Sequence, residues 1–289
     1  MVDRRERLVL VLPLLLVLLP FLLWPVTFGF LASFTNYSPH ERHLRLIGLA
    51  NYASLARDGD FLAAFRTIAV FLAVAVPAEL LIGFAVAWLL REPFRGRTAI
   101  RVALLVPWFV SPVAGGVMWH FLYSTRSGLL NYFLSWLHLA SVPSPLSLRG
   151  LALPATILVE VWRTAPLVGF LLLPGLISIP RSLWEEATIQ GVSAIRQVRC
   201  IVLPYLRPLL LAVGMLLVGG ALGTFDLVLI LTNGGPGSET LTPALFSYQR
   251  AFRVSDWPLS ATSAWFIVAA VALASLAYLL LSRPERRLR

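Results

Sequence analysis

Six apolar runs, each long enough to cross a bilayer, constrain this chain more than any other feature: near Leu8–Phe34, Phe61–Leu90, Ala103–Tyr123, Leu151–Ile179, Tyr205–Leu231 and Pro258–Ser282. A spanning helix needs about 20 mainly apolar residues. The expected fold is therefore all-α, a polytopic membrane protein with six transmembrane helices in one domain over residues 1–289. Prolines inside the runs (Pro13, Pro20 and Pro25; Pro166 and Pro174) predict kinked or tilted helices. The composition agrees: 58% hydrophobic and 13% charged, with a mean hydropathy of +0.80.

Charge sets the expected orientation. All 24 basic residues are arginine against 14 carboxylates, a net charge of +10. In a soluble chain that excess would point to nucleic acid; here the arginines fall in the gaps between runs. Arg4, Arg5 and Arg7 precede the first run, and Arg91, Arg95, Arg97 and Arg101 lie between the second and third. Arg181, Arg196, Arg199 and Arg207 surround the gap before the fifth, and Arg283, Arg286, Arg287 and Arg289 follow the sixth. With six spans all four groups share one side, which the positive-inside rule makes cytoplasmic, with both termini. The first run is longer than a signal-peptide core and lacks a clear cleavage site, so it reads as a retained helix.

Other chemistry is sparse. Cys200 is the single cysteine, so there is no internal disulfide. His40 and His43 sit three apart in a polar loop without the carboxylates or cysteines of a metal site, and none is expected. There is no G-x-x-x-x-G-K-[ST] loop and no lysine. If ATP is used, another chain binds it.

The gap between the fourth and fifth runs reads EEATIQGVSAIRQVRCIVLP, residues 185–204. Apolar residues at Trp184, Ala187, Val192, Ile195, Val198 and Val202 follow a helical period. Glu185 and Glu186 suit a helix N-terminus, Arg196 and Arg199 come late, and Gly191 permits a turn between two short helices. Periodicity alone leaves two readings open, an interfacial helix on the headgroups and a docking element for a partner.

This stretch resembles the EAA loop of permease subunits of ABC importers, a pattern E-A-A-x-x-x-G followed by I-x-L-P. Glu185, Ala187, Gly191, Ile201, Leu203 and Pro204 stand in register; Glu186 replaces a usual alanine and Gln190 a frequent aspartate. GLANY (48–52), FRGR (94–97), GLLN (128–131) and LTNGGPGSETL (231–241) resemble the carbohydrate-uptake branch of that family.

The resemblance implies a type I ABC importer permease fold, with loop 181–204 as the coupling segment. Glu185, Glu186, Ala187, Gly191, Ile201, Leu203 and Pro204 would contact a separate ATPase. It further implies a multi-pass protein of the bacterial inner membrane, a second permease (a heterodimer), two ATPase subunits holding ATP and Mg, and an extracytoplasmic solute-binding protein. That protein is expected to dock at outer loops such as Asn51–Tyr52 and 234–239. No cofactor belongs to this chain, and no nucleic-acid partner is expected.

Charges inside apolar runs are costly and are usually functional or paired. Glu79, Glu160, Arg163 and Asp226 are of this kind; Arg66 lies nearer a span end and can snorkel. By resemblance, the spans flanking the coupling loop line the solute pathway. That implicates Glu160, Trp162, Arg163, Thr164 and Leu167 before it, and Thr224 and Asp226 after it, where Leu217, Gly220 and Ala221 are apolar. Glu160 and Arg163 equally suit an internal pair that lets the helix pack.

The expected function is ATP-driven import of a sugar or sugar-like solute by alternating access, without enzymatic chemistry. The alternatives are a permease for glycerol-3-phosphate or another small polar solute, a membrane-embedded transferase using Glu160, Arg163 and Asp226, and a non-transporting scaffold.

Overall fold

The computed structural model describes residues 4–38, 44–126, 128–138 and 143–282. His40, Glu41 and His43, and the arginines from 283 onward, lie outside the described residues. The helices are α1 (Arg4–Ser33), α2 (Ala50–Leu55), α3 (Gly59–Arg91), α4 (Arg97–Phe109), α5 (Pro112–Leu122), α6 (Leu129–Trp136) and α7 (Ala152–Ile177). There follow α8 (Arg181–Ile189), α9 (Ala194–Gln197), α10 (Leu203–Leu222), α11 (Asp226–Leu231), α12 (Pro243–Phe252) and α13 (Trp257–Leu281). Among the described residues there is no strand, only one bridge pairing Thr35 with Leu46.

The all-helical expectation holds, but two of the six expected spans are not single helices. Among the described residues, four stretches are long and apolar enough to cross a bilayer: Gly59–Arg91, Ala152–Ile177, Ala194–Leu222 and Trp257–Leu281. The first run forms α1, whose described apolar part is Leu18–Ser33.

The third run, 103–123, is broken. α4 and α5 meet at 95° across Val110–Ser111. Ser111 precedes Pro112, whose ring disfavours the helical conformation at the residue before it, and Ser111 sits at ψ 151. Its Oγ accepts from the Ala114 N–H at 3.2 Å, capping α5 with proline at the first helical position. The same residues that end one helix start the next.

The fifth run, 205–231, is corrected at both ends. It begins earlier: α9 runs through one widened π-type turn at Val198–Val202 into α10. A proline ring collides with the carbonyl four residues back. For Pro204 that residue is Cys200, inside the widened turn, which makes room for the ring. The run then breaks at Gly223–Phe225 before α11.

The chain divides into two compact units, Met1–Leu62 with Phe246–Val268, and Ala63–Leu245 with Ala269–Arg289. The first is held by aromatic contacts: Phe30 with Trp265 at 5.0 Å, Phe34 with Tyr52 at 5.4 Å, and Phe61 with Phe246 at 5.4 Å. Asn51 donates both amide protons to the carbonyls of Ser33 and Thr35, and the Tyr52 hydroxyl meets Ser33 Oγ at 2.9 Å. Asn51 is buried, and the Asn51–Tyr52 pair closes the loop after α1. Asp58 and Arg250 form an ion pair at 2.5 Å in the same unit.

In the second unit α3, α7 and α10 enclose the main core, around Leu90, Val168, Leu172, Val202 and Leu206. Glycines let the backbones approach. A Cβ on Gly83 would lie 2.5 Å from Val168, and one on Gly169 would lie 2.6 Å from Val86. These two contacts are reciprocal across the α3–α7 crossing, the small-residue packing that membrane helices use where no hydrophobic drive favours association. Gly175 plays the same part for α7 against Leu206 and Leu209 of α10. α5 and α11 pack together where Gly116 meets Ile230, and Leu227 and Leu231 bury against Val159 of α7.

Candidate functional site

A cavity of about 740 Å³ opens inside the second unit. α7 supplies its polar wall. Glu160, Arg163, Thr164 and Leu167 recur at helical spacing on one face and all line the cavity. The two broken spans supply much of the rest: Trp108 and Pro112 at the α4–α5 break, and Thr224, Phe225 and Asp226 at the α10–α11 break. Gly219 and Gly220 leave that wall without side chains, and Glu79 enters from α3. Non-helical backbone at membrane depth is tolerated where it lines such a cavity.

The polar wall is internally bonded. Arg163 Nη2 donates to Glu160 Oε1 at 2.6 Å and its Nε to Oε2 at 3.4 Å. Thr164 Oγ1 donates to Glu160 Oε1 at 3.0 Å. The guanidinium carbon lies 5.6 Å from the Trp108 ring centroid. Both readings of Glu160 and Arg163 therefore meet in one arrangement: they pair with each other and they face the cavity.

Of the residues expected on the solute pathway, Glu160, Arg163, Thr164, Leu167, Thr224 and Asp226 converge here. Trp162 does not line the cavity. At about 100° per residue, two positions past Glu160 point to the far side of α7, where Trp162 meets Trp119 edge-on at 5.5 Å. Glu79 and Trp108 join the wall without having been assigned to it. A carboxylate inside an apolar run was a signal for Glu79. Trp108 had none, because its direction depends on the break that follows it.

The loop at 181–204 is the second candidate feature. α8 ends in a left-handed glycine cap. Gly191 has φ +68°, its N–H bonds to Thr188 O at 3.0 Å, and the Val192 N–H bonds to Ala187 O at 2.9 Å. This is the Schellman arrangement. Nothing lies within 4 Å of where a Gly191 Cβ would stand, so conformation and not space demands the glycine.

Ala187 is buried, whereas Glu185, Glu186, Gly191, Leu203 and Pro204 are exposed and Ile201 is half-buried. Ile189 and Ile195 are 86% and 70% exposed, unusually bare for apolar side chains beside a charged loop. The expectation of two short helices is corrected, since the segment after the turn runs on into α10. Trp184 anchors α8 inward, packing on Trp88 of α3 at 6.0 Å, with the Arg91 guanidinium beside both rings.

The chain is similar to several relatives and solved structures. The chain is 34% identical over 247 residues to the probable ABC transporter permease protein y4oQ of Sinorhizobium fredii, covering 84% of this chain and 79% of that one. It is 31% identical over 281 residues to the trehalose/maltose transport system permease protein MalF of Thermococcus litoralis, covering 96% and 93%. It is 29% identical over 288 residues to the sn-glycerol-3-phosphate transport system permease protein UgpA of Yersinia pestis, covering 97% and 94%. A chain of a bacterial alginate ABC transporter, crystallised with an alginate pentasaccharide-bound periplasmic protein, shares the fold with a TM-score of 0.79 at 19% identity, over 96% of each chain. The profile of one family, described as binding-protein-dependent transport system inner membrane component, matches residues 70–289. The chain belongs to that family, the non-enzymatic permease components of ABC transporters.

Proposed function

We propose that this chain forms one half of the pore of an ATP-driven importer for a sugar or sugar-like solute. The observation that carries the reading is the bonded polar face Glu160–Arg163–Thr164, opening into a cavity of about 740 Å³ between otherwise apolar helices. A cavity of that size falls in the ordinary range for small-molecule sites. A mainly apolar lining with a few placed carboxylates and hydroxyls suits a sugar ring, whose faces are apolar and whose rim is hydroxyl-rich. Relatives named for trehalose/maltose and for glycerol-3-phosphate support a polyhydroxylated solute.

The 185–204 loop is the coupling segment. Its exposed face, with Glu185, Glu186, Gly191 and the bare Ile189 and Ile195, is presented to an ATPase subunit that holds ATP and Mg. Ala187 fills the core side, and Ile201, Leu203 and Pro204 carry the motion into α10. The arginine-rich side faces the cytoplasm with both termini. A second permease, two ATPase copies and an extracytoplasmic solute-binding protein complete the assembly, and alternating access moves the solute.

The test is purification of the tagged chain from its host in gentle detergent, with identification of what accompanies it, for wild type and Gly191→Pro. Co-purification of an ATPase, a second permease and a binding protein, with the ATPase lost in the variant, supports the reading. A chain that comes out alone and is indifferent to the substitution refutes it.

A further inference from the structure

We propose that the cavity wall contributed by this chain selects uncharged, hydroxyl-rich solutes and disfavours anionic ones such as sugar phosphates and sugar acids. This rests on the cavity being the solute site.

Four ionisable side chains line the cavity: Glu79, Glu160, Asp226 and Arg163. The single cation is already committed, bonded through two nitrogens to Glu160 at 2.6 and 3.4 Å and lying beside the Trp108 ring. The Glu160–Arg163 pair is therefore close to neutral as seen from the cavity, a guanidinium with its matching carboxylate.

The hydroxyls are committed as donors too. Thr164 Oγ1 donates to Glu160 Oε1 at 3.0 Å, and Thr224 Oγ1 donates to Gly220 O at 3.5 Å. Arg163 keeps three of its five N–H donors, but its charge is matched by Glu160, and the charge left unbalanced at the wall is a carboxylate. Asp226 is exposed and makes no hydrogen bond or ion pair among the described residues, and Glu79 adds a second carboxyl.

A phosphate, sulfonate or carboxylate on the solute would bring negative charge toward Asp226, where like charges repel. A neutral sugar brings one donor per hydroxyl to that carboxylate and no charge to be repelled. Relatives that carry anionic solutes include the glycerol-3-phosphate permeases and the sulfoquinovosyl glycerol permease SmoG. In this chain the pairing of Arg163 by Glu160 and the unpaired carboxylate of Asp226 are the features that set the choice.

The test uses the assembled transporter in nanodiscs, without the binding protein, so that the choice read is the permease's own. Saturation-transfer NMR is recorded with three matched probes: maltose and its aldonic acid, trehalose and its 6-phosphate, glycerol and its 3-phosphate. Wild type is expected to bind an uncharged member at least about tenfold more tightly than its anionic partner, the scale of one unfavourable charge contact. Glu160→Gln, which frees the guanidinium, and Asp226→Asn, which removes an exposed charge without touching a packed side chain, are each expected to narrow that ratio.

An anionic probe binding wild type as well as its uncharged partner overturns the proposal. So does a ratio unmoved in both variants. If no probe binds wild type or either variant, the cavity is not the solute site and the underlying pore assignment fails with it. If uncharged and anionic probes bind equally, only the charge selection fails.

Discussion

The Arg91 guanidinium at the end of α3 lies 5.0 Å from the ring centroid of Trp184 in α8 and 3.6 Å from that of Trp88, so one cation ties two helices that are distant in sequence. α3 also carries Glu79, twelve residues earlier on a continuous helix. At 1.5 Å per residue the tie and the cavity wall sit about 18 Å apart along one rod. A force applied to α8 therefore has a mechanical route to the cavity through Arg91. Arg91→Gln should loosen α8 by the worth of a cation–π contact, about 0.5–2 kcal/mol. In hydrogen–deuterium exchange the amides of α8 should exchange about 2- to 30-fold faster, with Arg91→Lys closer to wild type. Unchanged exchange in the glutamine variant would remove Arg91 from this role.

Gly191 tests conformation against space. Its φ of +68° is left-handed, and the room for a Cβ is open. Gly191→Ala should cost about 1–2 kcal/mol through the backbone alone, and Gly191→Asn less, because asparagine tolerates that region. Gly191→Pro, locked near φ −65°, should abolish the cap. If the cap presents the loop to the ATPase, ATPase retention should fall in the order glycine, asparagine, alanine, proline. Equal retention for alanine and asparagine would show that the cap geometry is not what the partner reads.

The α3–α7 crossing tests close approach. A Cβ on Gly83 would stand 2.5 Å from Val168 Cγ1 and 3.0 Å from the Ala165 carbonyl oxygen. Gly83→Ala should destabilise by about 1–3 kcal/mol, the usual cost of overpacking. Val168→Ala should recover only a small part of it, because the Val168 Cβ, 2.6 Å away, and the backbone oxygen both stay. Thermal unfolding of the purified chain in detergent gives the cycle, and strict additivity of the two substitutions would argue against the contact.

Composition and period made much of this legible. Long apolar stretches separated by arginine-rich turns read directly as helices, and the spacing of Glu160 and Arg163 puts both on one face of α7, with Thr164 and Leu167 added by the resemblance. Where a helix stops inside an apolar run is a local matter that hydropathy averages away. Ser111–Pro112 carried the signal of a cap and a first-turn proline, yet the run of Ala103–Tyr123 reads as one span by hydropathy. Gly223–Phe225 carried less, since glycines also occur within membrane helices. Trp162 and Trp108 show the other limit: the segment taken from the resemblance included Trp162, which the helical period turns away from the cavity, and only the direction of α4 before its break brings Trp108 to it. Gly83 meeting Val168 is a non-local contact with no trace in either segment alone.

The ion pair inside the cavity wall makes the last prediction. Glu160 and Arg163 side chains are 11% and 14% exposed. Removing one partner of a pair this enclosed strands the other, a loss on the order of 3 kcal/mol. Removing both for apolar groups of similar size is far milder, because no uncompensated charge remains. Glu160→Leu should therefore lower thermal stability in detergent more than the double variant Glu160→Leu/Arg163→Met does. Thr164 sharpens the contrast, since its hydroxyl loses its acceptor in either variant and so cancels from the comparison. If the single and double variants unfold together, the pair contributes nothing that the surrounding helices do not, and Glu160 stands in the wall for its carboxylate alone.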